Sequence, residues 1–476
     1  MPLLRSRSTG NDGVMLRRPA GSRSALVGML ALLVFGVALW QNLSAVADSP
    51  FHPDESRWLN RSVYLRDVLQ PTSEIWEDRY LTRGQPPMGS YVTGLGLFLQ
   101  GHDLASNGPW DFHYGNEAAT TWNAVKGNMP APADLIAARR TSAVVGALTC
   151  VVVFLIVTSL IHWVGGLVGA LFLAFHPLQL YLASLAVSDA VFTLFVAVAT
   201  LAAISLAGKP SWPRAITLGV ILGLGTSTKL SPVFAAIALA GLGGILLADG
   251  PLRRLPVAGT LWGRVMRGGT DRNARLGWML LTMPAIAFAT FVVSYPYLWP
   301  DPIGRTQTLL DFRQQEMENQ ARIWPDSAIE SRAEAIQRTW HNLEHTYSTS
   351  GRVIATAGRA FGRDWAGLGV DIPLALAGLA LFASLTAIRG FPTRQLLALA
   401  VVGAQSAVIL AKLRIDFNRY YLPFVFVCAL GVGFLAGQVW IWAQRALSHR
   451  HARAELHSPR TVPLRHGLAA MERRRS

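Results

Sequence analysis

Seven stretches of the sequence run for about 20 residues or more without a Lys, Arg, Asp or Glu: 25–47, 141–161, 163–188, 190–208, 230–248, 276–300 and 420–444. A helix needs about 20 such residues to cross a bilayer, since each advances the chain by about 1.5 Å. Weaker runs at 214–228, 366–388 and 395–411 bring the expected number of spans to ten. The pattern predicts an all-α polytopic membrane protein. Composition agrees, with 51% hydrophobic and 15% charged residues, against about 25% charged in soluble proteins. A soluble single domain is excluded. Cys150 and Cys428 both fall inside apolar runs, so no disulfide framework or cysteine metal site is on offer. The net charge of +15 would suggest nucleic acid as partner in a soluble chain; here it sets orientation, and no nucleic acid is expected.

Ten spans with the N-terminus inside place Arg5, Arg7, Arg17, Arg18 and Arg23, then Lys209 and Arg214, the 253–275 loop, Arg389 and Arg394, and Arg473, Arg474 and Arg475 on one side, as the positive-inside rule requires. Segment 86–100 is only 15 residues long and rich in glycine, so it reads as an interfacial helix; counting it as a span would invert everything after it. The implied layout is a basic cytoplasmic N-terminus (1–24), a transmembrane module (25–300) containing a long outer loop (48–140), a second outer loop (301–365), C-terminal spans (366–444) and a basic cytoplasmic tail (445–476). The tail is expected to be disordered and held near anionic lipid. A first apolar run of 23 residues is longer than a signal-peptide core, so a retained first helix in the plasma membrane is expected. The outer loops hold 8 basic against 11 acidic and 8 against 9 residues, without the basic excess of the inner ones. Loops of this length usually carry function. Patterns at 308–321 and 331–343 predict a small helical cap in the second.

Candidate chemistry collects on the outer side. His52-Pro53-Asp54-Glu55 follows the first span, and adjacent carboxylates at an interface are tolerated best where a cation, a metal or a substrate hydroxyl uses them. A solvated loop pair is the alternative. Arg83-Gly84-Gln85-Pro86-Pro87 precedes the interfacial segment, and the Pro-Pro turn aims the residues before it. Asp189 is either a helix cap or a site residue, and Lys229 either snorkels or binds phosphate. Arg419 and Tyr420 belong to a polar cluster with Arg414, Asp416 and Tyr421 before the last span. His176-Pro177 marks a kink in the third span, and Tyr295, Tyr297 and Trp299 read as an interfacial aromatic belt, with sugar stacking the alternative. Acidic groups beside cationic ones suit a displacement in which a hydroxyl attacks an activated sugar and a lipid phosphate leaves.

The first span followed by His52-Pro53-Asp54-Glu55, the Gln85-Pro86-Pro87 turn, Asp189, Lys229-Leu230-Ser231-Pro232 and Arg419-Tyr420-Tyr421-Leu422-Pro423 together resemble the GT-C glycosyltransferases. Within them the sequence is most similar to the protein O-mannosyltransferases and the aminoarabinose transferases acting on lipid A, the family 39 type. The resemblance covers about residues 25–440. It implies a GT-C-like bundle of about ten helices and inverting transfer of a hexosyl or pentosyl group from a polyprenyl-phosphate donor to a hydroxyl of a protein, glycolipid or glycan on the outer face. Asp54 and Glu55 would be catalytic, and Arg83, Gln85, Lys229 and Arg419 would bind the donor phosphate. His52, Asp189 and Tyr420 would support them. That family often has Lys or His where this chain has Gln85, and often an Arg shortly before the aspartate matching Asp189, which is missing here. The second outer loop is too short for the β-trefoil domain of eukaryotic protein mannosyltransferases. A divalent cation beside Asp54 and Glu55 is the one cofactor expected. A lipid or sugar transporter or flippase, and an assembly scaffold, are the competing readings.

Overall fold

The computed structural model describes residues 20–104, 119–255, 263, 269–365, 367–390 and 392–457. The basic segment before residue 20 and the tail beyond residue 457 lie outside them. The apolar runs become helices α1 (Ala20–Val46), α4 (Pro132–Leu160), α5 (Trp163–Ala174), α6 (Pro177–Ala183), α7 (Ser188–Gly208), α8 (Trp212–Thr226), α9 (Pro232–Leu247), α10 (Thr270–Leu281), α11 (Met283–Val293), α15 (Asp371–Ile388), α16 (Thr393–Lys412) and α17 (Leu422–His457). The first long loop contributes α2 (Pro53–Asn60) and α3 (Met88–Leu99), and the second α12 (Pro302–Ile323), α13 (Arg332–His341) and α14 (Thr349–Ala360). No β-strand occurs among the described residues, only an isolated bridge between Ala328 and Ile415.

Among the described residues eight helices, counting runs that continue through a bend, are long and apolar enough to cross a bilayer, and nine if α5 and α6, bent by 64°, form one broken span. This lowers the expected ten. The missing one is α8, whose 15 residues reach about 22 Å, short of the hydrocarbon core. It nevertheless returns the chain to the level where α7 began: Asp189 in the first turn of α7 pairs with Lys229 just beyond α8, and at the other end Arg214 donates to the carbonyls of Ser205 and Lys209. The α7–α8 hairpin thus closes at both ends. The break between α5 and α6 is built by His176, whose Nδ1 accepts the Leu178 N–H, and by Pro177 at the first position of α6.

α4, α5 and α17 surround the largest buried core, with α1 on α4 and α15 on α17. A second core lies between α7, α8, α9, α10, α11 and α16. Backbones approach closely where glycines meet: a Cβ on Gly169 would stand 2.6 Å from the Ala429 carbonyl oxygen, and one on Gly433 2.8 Å from that of Gly165. α3 has 12 residues, too few to span. α17 has 36 and stays helical to His457, so the disorder expected from Arg445 onward does not begin there. The first proline after Arg445 is Pro459, and until then the residues are mostly good helix formers.

Candidate active site

Where the two long loops meet the bundle, a cavity of about 650 Å³ opens. Its walls come from α2, the 84–86 turn, the start of α7, the 228–231 stretch, the end of α16 and the 419–423 turn, and α12 lies across it. Pro53 at the first position fixes the start of α2, and His52 caps it: His52 Nδ1 accepts the Asp54 N–H at 3.1 Å, while Glu55 Oε2 accepts the His52 N–H at 2.9 Å. Burial first, then the nearby Arg419 charge, holds the His52 imidazole below its ordinary value, keeping Nδ1 free to accept.

The two adjacent acids diverge. Asp54 faces the cavity, and its Oδ2 accepts a hydrogen bond from Arg419 Nη1. Glu55 is fully buried behind it: Oε1 accepts from Arg139 Nε at 2.8 Å and the Ala186 N–H at 2.8 Å, and Oε2 from Arg139 Nη2 at 2.7 Å. Arg139 also donates to the carbonyls of Val46, Ser49 and Pro50. This fork ties the end of α1, α2, α4 and the turn before α7 into one unit. Glu55 is thereby removed from the cavity, and the pair's donor set does not fit a shared divalent cation, which takes several converging oxygens. Among the described residues no group of three His, Cys, Asp or Glu side chains is placed to hold a metal ion.

Tyr420 joins the cationic residues. Arg419 lies 5.7 Å and Lys229 5.5 Å from its ring, and Lys229 Nζ sits 2.5 Å from Asp189 Oδ1. Asp54, Gln85, Asp189, Lys229, Arg419 and Tyr420 line one cavity. Arg83 is turned elsewhere: it pairs with Asp78 at 3.1 Å and lies 5.5 Å over the Phe312 ring. Tyr295 and Tyr297 are likewise not an interfacial belt. Both are fully buried in an aromatic cluster with Trp76 and Phe291, with the Tyr297 hydroxyl 3.0 Å from Asp78. Asp416 serves the cap, accepting from Arg338, Asn342 and Tyr421. Arg139, Arg57 and Arg61 escaped the sequence reading. The last two follow Asp54 by three and seven residues, the spacing of one helix face, and that was the available signal. The lining includes the apolar side chains of Leu230, Phe234, Val408 and Ile409, of which Phe234 is 40% exposed.

A bundle with paired acids and bases at one end is the class of architecture these features define, and the known proteins it resembles are as follows. Residues 133–263 match the family described as dolichyl-phosphate-mannose-protein mannosyltransferase, in agreement with the GT-C resemblance over that stretch. No curated protein matches the sequence. Among solved structures, the oligosaccharyltransferase AglB of Archaeoglobus fulgidus, in complex with an inhibitory peptide and a dolichol-phosphate, is 12% identical at a TM-score of 0.48, over 91% of this chain and 52% of that one. ArnT from Cupriavidus metallidurans is 17% identical at 0.43, over 91% and 64%. The S. cerevisiae protein O-mannosyltransferase Pmt1-Pmt2 complex bound to the sugar donor is 17% identical at 0.38, over 58% and 33%. The chain thus spans less than two thirds of the length of each.

Proposed function

We propose that the chain is a membrane glycosyltransferase that moves a sugar from a polyprenyl-phosphate donor to an acceptor hydroxyl with inversion, on the outer face of the plasma membrane and with both termini cytoplasmic. The observation that carries this reading is the one cavity lined by Asp54, Arg419 and Lys229 together with an apolar flank of Leu230, Phe234, Val408 and Ile409. The family matched by residues 133–263 is named for such a donor, which supports it.

In the proposed reaction the acceptor oxygen attacks the anomeric carbon from the face opposite the phosphate. Its proton passes to Asp54, and the bond from the anomeric carbon to the phosphate oxygen breaks with its electron pair left on that oxygen. Lys229 and Arg419 meet the developing charge. Asp189 and Tyr420 hold these two cations in place, and His52 presents Asp54 by capping its helix. Glu55 acts at one remove, by anchoring α2 through Arg139. The polyprenyl tail would lie along Leu230, Phe234, Val408 and Ile409. The transferred group is a hexosyl or pentosyl unit, and the acceptor a protein, glycolipid or glycan.

The test is transfer from radiolabelled polyprenyl-phosphate sugars in membranes, followed by separation of lipid, glycan and protein fractions. Asp54→Asn should lower turnover at least about a hundredfold, the usual scale for a general base, at unchanged expression. Wild-type turnover in that variant overturns the reading.

A further inference from the structure

Arg61 carries a charge that its surroundings leave only partly compensated. Its residue is 3% exposed yet lines the cavity. Nη2 donates to the Gln85 carbonyl at 2.5 Å, and the guanidinium lies 5.3 Å from the Trp58 ring and 5.1 Å from that of Tyr64. Its Nε is buried without a hydrogen-bond partner. The ion pairs nearby are Arg419–Asp54, Lys229–Asp189, Arg139–Glu55 and Arg83–Asp78, and Arg61 belongs to none of them. Buried charges are ordinarily paired, because the desolvation of a lone ion is otherwise uncompensated. Two ring faces and one carbonyl supply part of that, and a bound anion would supply the rest.

The position suits one anion in particular. The Met88 N–H donates to the Ser227 carbonyl at 2.8 Å, which fixes the turn holding Gln85 against the strip that ends in Thr228 and Lys229. Arg61 and Lys229 thus line one cavity, joined through this turn. We propose that Arg61 is a phosphate-binding residue, its planar fork gripping the phosphate of the lipid-linked donor beside Lys229 and keeping hold of it as a leaving group. The assignment rests on the glycosyltransferase reading. When the bond between the anomeric carbon and the phosphate oxygen breaks, the diester with one negative charge becomes a monoester approaching two, and a second cation matters most at that point.

Binding to the full chain in nanodiscs, measured calorimetrically with farnesyl phosphate, farnesol and inorganic phosphate, tests this. The wild type should bind farnesyl phosphate more tightly than either control. Arg61→Gln, whose amide can still serve the Gln85 carbonyl, should weaken farnesyl phosphate about tenfold or more while moving farnesol less than about twofold, as expected for one charge-assisted bond. Wild-type affinity in Arg61→Gln overturns the assignment and leaves the donor reading standing. If that variant does not insert, Arg61→Lys decides: several-fold weakening supports the fork, and unchanged affinity overturns it. A wild type that binds no farnesyl phosphate overturns the donor reading itself, and inorganic phosphate bound equally well overturns a lipid-linked ligand. Asp54→Asn should bind farnesyl phosphate while failing to transfer sugar, which separates the anion site from the base.

Discussion

Asp54 and Glu55 are chain neighbours with opposite surroundings, one open to the cavity and one fully buried on Arg139. The acidic pair after a span was legible in the sequence, but the different surroundings of its two members were not, because Arg139 lies 84 residues away, just before the next apolar run. Helix α4 begins instead at Pro132, which carries Arg139 inside. Replacing Arg139 with Met strands a buried carboxylate, and breaking such a pair typically costs about 3–5 kcal/mol. The variant should lose its cooperative melting transition or fail to accumulate, as size-exclusion chromatography would report. His52 gives a pH dependence. Its imidazole is held below the ordinary value, so between that lowered value and about 6.5 the unfolded chain binds the extra proton. Stability therefore rises with pH through that window and falls on acidification. Protonation at Nδ1 would also remove the cap and set a positive charge at a helix N-terminus. Melting temperatures from pH 7 to 5 should drop less in His52→Asn, which caps without titrating; equal slopes would refute the role.

At the level of helices, the length of the charge-free runs located nearly every candidate span, because about 20 residues of hydrocarbon-compatible chain leave few alternatives. It said nothing of which helices touch. The crossing of α5 and α17 depends on Gly165, Gly169, Gly433 and Gly437, spaced by fours within each helix, and a Cβ at any of them meets the opposing backbone within 3.4 Å. Gly169→Leu should force these helices apart and lower the melting temperature by several degrees, whereas Gly241→Leu, where a Cβ meets nothing within 4 Å, should not; thermal shift in detergent distinguishes them. The aromatic residues after α11 show the same gap in legibility. Their place beside Pro296 and Pro300 at the end of an apolar run marked Tyr295 and Tyr297 as interfacial, but the first long loop folds over them and supplies Trp76 and Asp78, a long-range event invisible in local pattern.

For the molecule as a whole, the proposed sidedness is open to a direct check. The native Cys150 and Cys428 are buried, so single cysteines at two exposed sites report without interference. An impermeant maleimide added to intact cells should label Glu330→Cys, on the cap, and label Ser448→Cys, on the extension of α17, only after permeabilisation. The reverse pattern would invert the topology. The apolar flank of the cavity, where Phe234 is 40% exposed, has a further consequence. On the proposed reading a lipid-linked donor reaches that flank by travelling in two dimensions, so the quantity that would govern turnover is its mole fraction in the bilayer and not its concentration in the suspension. Adding inert phospholipid at a fixed amount of donor would slow the reaction without any inhibitor being present.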